Sequence, residues 1–419
     1  MNNIIIKNKF KKYRAEIDGL RAFAVIIVII NHFNKDILPS GYLGVDIFFV
    51  ISGYVITSSL SWRKSDTFND FFIGFFERRG KRLIPALIPF TLLTGILICF
   101  FNPIPDLSLK TGITSLFGLS NLYLLRQSTD YFAFSTQLNS FTHTWSLDVE
   151  EQFYVVFPFL IWFTGYGSKS KNGSKNLFFA SLFLILISLI SYIYTFQINQ
   201  SAAFYLMPTR FWEMASGCFI FLLLNHRKKE TYQIKRINPN ILFLLICLVL
   251  FIPEKYSLIA TILIVFLTSI LLCCLNKGSQ IFNILTSNFS LHFGKISYSL
   301  YLYHWTILSI SRWTIGVHLW SAPFQIGLMY VLAYLSFRYI ETPFRDIQWT
   351  KKRWGTILRA FSLLVLSGTT LFGLNNQFKG KLFLGNKDIK IDLKRPYFET
   401  YSLDEKYCFY DNFIIKWYK

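Results

Sequence analysis

The stretch EIDGLRAFAVIIVIINH, residues 16–32, decides the fold class of this 419-residue chain. With its flanks it gives an apolar run over 16–34, close to the ~20 residues a bilayer crossing needs. Two ionisable side chains, Arg21 and His32, lie inside that run. Such groups are costly in hydrocarbon and mark functional positions. They are eleven residues apart, so helical steps of about 100° bring His32 to within roughly 20° of the face of Arg21, about 16 Å further along. Both side chains therefore look toward one interior from different depths. The plainer alternative is a buried histidine satisfied by a neighbour, with Arg21 snorkelling to the surface. The pair alone does not choose between them.

Composition extends this reading to the whole chain. Hydrophobic residues make up 53% and charged residues 16%, with a mean hydropathy of +0.40. A soluble chain carries nearer a quarter charged residues. The 19% aromatic content, with 45 Phe, suits lipid-facing and interfacial helices. The formal charge of +20 sits in short segments between apolar runs, a pattern of membrane orientation and not of nucleic-acid binding. The cysteines show neither metal-ligand spacing nor a disulfide framework, and the N-terminus lacks the small-residue cleavage site of a signal peptide.

The expected fold is an all-α membrane protein with about eleven transmembrane helices, over roughly 16–34, 41–62, 83–101, 147–165, 177–196, 208–225, 239–253, 257–275, 291–311, 323–340 and 356–374. The apolar stretch 113–125 is expected to be half-inserted or packed on the outer surface. With a cytoplasmic N-terminus and an extracytoplasmic C-terminus, inside segments carry about 24 Lys and Arg, and outside loops before the tail carry five: Lys35, Lys110, Arg126, Lys255 and Arg312. A further crossing at 113–125 would place Arg227, Lys228 and Lys229 outside. Residues 1–374 thus form a membrane domain. Residues 375–419 form a short extracytoplasmic tail, below the usual size of an enzyme domain.

Several clusters carry chemistry. Glu16, Asp18 and Arg21 sit at the cytoplasmic start of the first helix, where acidic groups suit the dipole. His32 has the chemistry of a general base or a nucleophile. In GYLGVDIFFVISGYVIT (41–57), Gly41, Gly44, Ser52 and Gly53 permit close packing. Asp46 either polarises His32 or sits at the outer surface. In FFERRGKRLIP (75–85), Arg78 and Arg82 share a helix face, and Arg79 and Arg82 are three apart, a fork suited to phosphates. As a lone cluster it also reads as an ordinary positive-inside segment. FTHTWSLDVEEQFYVVFP (141–158) crowds His143, Trp145, Ser146, Glu150, Glu151, Gln152 and Tyr154 at the outer mouth of a span, with Glu150 and Glu151 on different faces. Arg210 and Glu213, in MPTRFWEMASG, have the spacing of an ion pair. Ser297, Tyr298, Tyr301 and His304 form a polar stripe suited to lining a cavity. FRYIETPFR (337–345) is a further candidate cluster, with a helix end at Pro343 as its plainer alternative.

EIDGLRAFAV followed by His32, then FFERRGKRLIP, HTWSLDVEEQFYVVFP, TRFWEMASG and SYSLYLYHW resemble, in that order and over about residues 14–345, the acyltransferase-3 family of integral membrane O-acyltransferases, which includes bacterial polysaccharide O-acetylases. The resemblance implies that Arg21 and His32 are the family's essential Arg-(ten residues)-His motif. It also implies that Arg78, Arg79 and Arg82 serve acyl-CoA use, and that Glu150 or Glu151 is the implicated glutamate. Members use an acyl-CoA, usually acetyl-CoA, as a co-substrate without a permanently bound cofactor or metal. They modify a sugar hydroxyl on lipopolysaccharide, such as its O-antigen, on peptidoglycan or on a related lipid-linked or surface glycan. The implied place is the bacterial inner membrane, among its lipids, with no nucleic-acid partner.

Many members with an eleventh span continue into an extracytoplasmic SGNH-type domain. Here the sequence ends about 45 residues past that span, with no Gly-Asp-Ser motif after residue 375. The expectation is therefore threefold: transfer by the membrane domain alone, completion by a separate extracytoplasmic transferase domain, or a truncated start of that domain in the tail. Two other readings stay open. One is a glycolipid transporter or flippase using Arg21, His32, Asp46 and Glu150 as a path. The other is a non-catalytic membrane partner.

Overall fold

The computed structural model describes residues 13–61, 65–127, 130–131, 134–226, 237–378 and 380–385. Among them every long element is a helix: α1 (Ala15–Phe33), α2 (Gly44–Ser61), α3 (Phe68–Phe101), α4 (Asp106–Ser115), α5 (Ser120–Arg126), α6 (Thr144–Phe163), α7 (Gly173–Ile198) and α8 (Gln200–Tyr205). After these come α9 (Met207–His226), α10 (Pro239–Val249), α11 (Ser257–Cys274), α12 (Gln280–Leu285), α13 (Asn288–Trp313), α14 (Ala322–Leu335), α15 (Thr342–Asp346) and α16 (Arg353–Phe378).

Each of the eleven expected runs forms a helix. Five segments are long and apolar enough to cross a membrane: Gly41–Ser61, Phe68–Phe101, Gly173–Ile198, Glu254–Cys274 and Arg353–Phe378. The other runs are short or diluted by the charged residues that make them interesting, such as Glu16, Asp18 and Arg21 in α1 or Asp148, Glu150 and Glu151 in α6. The protein is a multi-pass helical membrane protein. The stretch 113–125 breaks into α4 and α5 around a turn at Gly118, whose φ of +69° favours glycine. Ten and seven residues cover about 15 Å and 10 Å, too little to cross a bilayer.

Two elements differ from expectation. The arginine block lies on the first half of one continuous 34-residue helix, α3, started by Thr67, whose hydroxyl accepts from the Asp70 amide at 3.3 Å. Pro343 does not end a helix. The run 323–340 is interrupted instead by a π-helical turn, Ser336–Glu341, and Pro343 sits in the first turn of α15. Pro lacks an amide and crowds the carbonyl four residues earlier, which favours the wider turn just before it. The basic segment 227–236 and the tail after 385 lie outside the described residues.

The chain divides into two compact units. The first comprises residues 1–58 and 213–298. Small residues set its helix contacts: a side chain on Gly41 would meet the Ile27 carbonyl and Asn31, and one on Gly44 the Ala24 carbonyl and Val28, so α2 packs antiparallel on α1. Gly53 lies against the Met214 carbonyl, and Gly217 against the Val50 carbonyl. The second unit comprises residues 59–212 and 299–419. There α3 and α16 run side by side in the same direction. Arg353 pairs with Asp70, Leu371 fills the space over Gly95, and Asn375 donates to Asp106 at 2.9 Å. Leu384 donates its amide to the Phe100 carbonyl at 3.0 Å, tying the chain after α16 to the end of α3.

Candidate functional site

In the first unit, α1 holds its charges in local pairs. Arg14 bonds Glu16 at 2.6 Å and donates to the Tyr54 hydroxyl at 2.9 Å and the Leu272 carbonyl at 3.0 Å. Arg21 bonds Asp18 at 3.3 Å, one turn away, and Asp18 also accepts from the Tyr13 hydroxyl. His32 lies in the last turn of α1 and is buried. Next to it Asn31 donates to the Leu38 and Pro39 carbonyls at 2.7 and 3.1 Å. Ser40 is anchored to the Leu250 and Ile252 carbonyls, so the connection from α1 to α2 is fixed at both ends. Asp46 is fully buried in the first turn of α2, where the helix dipole favours a carboxylate. The antiparallel packing sets Gly44, at the start of the turn bearing Asp46, against Ala24 and Val28 in the middle of α1, with His32 further along toward its end.

In the second unit, α6 sorts its polar residues by face. Ser146, Glu150 and Tyr154 recur every four residues and form one stripe. The Tyr154 hydroxyl donates to the Glu150 carboxylate. Ser146 shares a 2.7 Å hydrogen bond with the Tyr301 hydroxyl, which also donates to the His143 carbonyl at 3.1 Å. His304 bonds the Tyr301 carbonyl through Nδ1 at 2.6 Å. The fully buried His143 ring is enclosed by Phe90, Tyr301, His304 and Trp305, at centroid distances of 5.8, 5.5, 5.5 and 6.0 Å. Neither of its ring nitrogens has a well-formed hydrogen bond among the described residues.

The opposite face of α6 serves structure. Asp148 accepts from the Ser120 amide, and Gln152 donates to the Gly118 carbonyl and the Asn121 side chain, both at 2.8 Å. Glu151 lies against the same turn, with Oε2 3.1 Å from where a Cβ on Gly118 would stand. Glu150 and Glu151 are thus separated by their neighbours, as the helical rotation requires.

Facing the stripe from α3 is Arg79, its guanidinium carbon 4.4 Å from the centre of the Tyr154 ring and 5.9 Å from that of Phe75. Arg78 turns elsewhere: a Cβ on Gly74 would stand 3.1 Å from its Nη1 and 3.3 Å from Nη1 of Arg353. Arg353 also bonds Glu77 at 3.5 Å. Arg82 lies one turn after Arg78 and Arg79 on the same helix. Arg210 is fully buried among Trp145, Tyr192 and Phe204, at 5.7, 5.7 and 5.3 Å. Glu213, also fully buried, is three residues further along α9.

The structure therefore sets two groups along one face of α6, Arg79 with Tyr154 and Glu150, and Ser146 with Tyr301, His143 and His304, and sets Asp46 and His32 on packed helices of the other unit. Sequence reasoning counted Tyr154 in the polar cluster of 141–158 but gave it no role of its own, although its four-residue spacing from Ser146 and Glu150 marks it. Arg353 and the buried Glu341, which accepts from Ser299 at 3.1 Å, were also passed over. No local pattern announces the Arg353–Asp70 contact, made across 283 residues.

Guanidiniums, carboxylates and imidazoles buried within apolar helices define a multi-pass membrane protein built around chemistry and not around packing alone. The chain belongs to the acyltransferase-3 family, whose profile, an acyltransferase domain, matches residues 14–337. It is 31% identical over 387 residues to the O-acetyltransferase OatA of Staphylococcus aureus, covering 88% of this chain and 64% of that protein. It is also 31% identical over 413 residues to a putative O-acetyltransferase of the same species, covering 92% of this chain and 67% of that protein. The chain thus spans about two thirds of the length of these relatives. No solved structure matches it.

Proposed function

We propose that this protein is an O-acyltransferase of the bacterial inner membrane that moves an acetyl group from cytoplasmic acetyl-CoA to a hydroxyl of a cell-envelope glycan. The observation that carries this reading is the meeting of the arginine block of α3 with the carboxylate face of α6, through Arg79, Tyr154 and Glu150. A transport path needs no such link between a block of guanidiniums and a carboxylate. A fork of guanidiniums on α3 suits the phosphates of a CoA donor.

In this mechanism Arg78 and Arg82 hold the donor phosphates. His32 takes the proton of the acceptor hydroxyl, whose oxygen attacks the thioester carbonyl. The tetrahedral intermediate then breaks its C–S bond, and His32 returns the proton to the departing thiolate. In the two-step form the imidazole first takes the acetyl group and then passes it to the hydroxyl. Both forms yield one ester and one free thiol. Asp46 orients His32, and Glu150 acts among the polar groups of α6. In this reading the donor arrives from the inside and the acceptor from the outside, and the asymmetry of basic residues supports that order.

The test is mass spectrometry of envelope glycan from cells with and without the protein, together with thiol release from acetyl-CoA by their membranes. Acetyl groups on the glycan that depend on the protein support the reading. Glycan export that depends on the protein without acetyl transfer would instead favour the transporter.

A further inference from the structure

Tyr154 joins Arg79 to Glu150, and neither Tyr154 nor Arg79 has a part in the mechanism above. Tyr154 is 5% exposed. A phenol so buried needs a partner for its hydroxyl, and this one donates to the carboxylate one turn earlier on its own helix. The same ring carries the Arg79 guanidinium on its face at 4.4 Å, with Phe75 at 5.9 Å. Glu150 and Arg82 both lie within electrostatic reach of Arg79. Arg79 is therefore seated against α6, whereas Arg78 turns toward Gly74 and Arg353. The three arginines of the block are not equivalent. Beyond Glu150 the stripe continues to Ser146 and the Tyr301 hydroxyl.

We infer that Tyr154 is a positioning residue: its ring seats Arg79 and its hydroxyl orients the Glu150 carboxylate, so that the donor helix and the carboxylate are held in one register. This rests on the acyltransferase reading. It assigns Arg79 to the register of the site and leaves the donor phosphates to Arg78 and Arg82. A tyrosine that only filled space would be replaced by phenylalanine at no cost.

The experiment uses membranes from cells expressing the full chain, with acetyl-CoA as the donor probe and the cells' own envelope glycan as acceptor. Thiol release is followed against acetyl-CoA concentration. Tyr154→Phe keeps the ring and loses the hydroxyl. Turnover is expected to fall by about tenfold to a hundredfold, the size of one lost hydrogen bond to a charged group. KM for acetyl-CoA is expected to stay within about twofold, because an interaction that serves turnover alone leaves KM unchanged. Tyr154→Leu removes the seat of Arg79 as well and is expected to lose further turnover.

Wild-type turnover in Tyr154→Phe overturns the inference, and so does a loss confined to KM, which would make Tyr154 a donor contact. If Tyr154→Phe does not accumulate in the membrane, Arg79→Lys asks the same question, since it keeps the charge and loses the stacked plane. Reduced turnover at unchanged KM supports the inference there, and wild-type turnover overturns it. Wild-type membranes that release no thiol overturn the acyltransferase reading, and the inference with it. A wild-type signal that Tyr154→Phe fully retains removes the inference alone.

Discussion

Glu150 and Glu151 are adjacent in sequence, yet about 100° of helical rotation gives them different neighbours. Glu150 meets Tyr154 on the stripe that leads to Ser146 and Tyr301, while Glu151 abuts the Gly118 turn beside Asp148 and Gln152. Glu150→Gln is therefore expected to cost at least about tenfold more in glycan acetylation than Glu151→Gln, the scale of one interaction with a charged group. Equal losses would place both carboxylates in the chemistry. His32→Ala is expected to lower acetylation by about a hundredfold or more, the range of a general base, with normal protein level in the membrane. Acetylation retained in that variant would sink the assignment. Arg78→Gln with Arg82→Gln is expected to raise KM for acetyl-CoA with turnover at saturation largely kept, as loss of uniform binding does. An unchanged KM argues against the phosphate role. These residues were singled out by their types and spacing, and their proposed roles came from the family resemblance. The partition of the arginine block was not legible, because it depends on which way each side chain leaves α3, and spacing does not set that.

At the scale of elements, hydropathy located every long helix but misjudged their continuity. The charged block 75–82 reads as a boundary, yet it is the first half of α3, because Arg, Lys and Glu are good helix formers and Thr67 caps the start further back. The π-helical turn at Ser336–Glu341 was invisible for the opposite reason: it depends on one proline two residues beyond it, and a 3.6-residue pattern does not register one extra residue. Small residues are the clearest packing signal. Gly53 touches the Met214 carbonyl and has no room for a methyl group, whereas nothing lies within 4 Å of a Cβ on Gly373. Gly53→Ala is expected to destabilise the protein by about 1–3 kcal/mol through overpacking. Gly373→Ala is expected to be neutral, or stabilising by up to about 1 kcal/mol from helix propensity. Thermal unfolding in detergent checks both, and a Gly53→Ala variant as stable as the wild type would show that α2 can slide on α9.

For the whole molecule the open quantity is the number of crossings, and the direction of two helices bears on it. Within the second unit α3 and α16 run in the same direction, as the contacts Arg353–Asp70, Leu371–Gly95 and Asn375–Asp106 require. Two helices that cross a bilayer in the same sense have an odd number of crossings between them in the chain. The eleven runs put seven there, and a further crossing at 113–125 would make eight. The broken pair α4 and α5 is also too short for that crossing. The asymmetry of basic residues predicts Lys35, Lys110 and Lys255 outside and Lys169, Lys277 and Lys351 inside, and a seven-crossing count between α3 and α16 is compatible with it. Single cysteines placed at these six positions, in a background with the natural cysteines replaced by serine or alanine, are expected to divide cleanly. The first three should react with a membrane-impermeant maleimide in intact cells, and the last three only after the membrane is opened. Labelling of position 169 from outside would reverse every later loop, put the basic segments after α6 on the acceptor side, and leave the arginine block and the later cytoplasmic loops on opposite faces of the membrane.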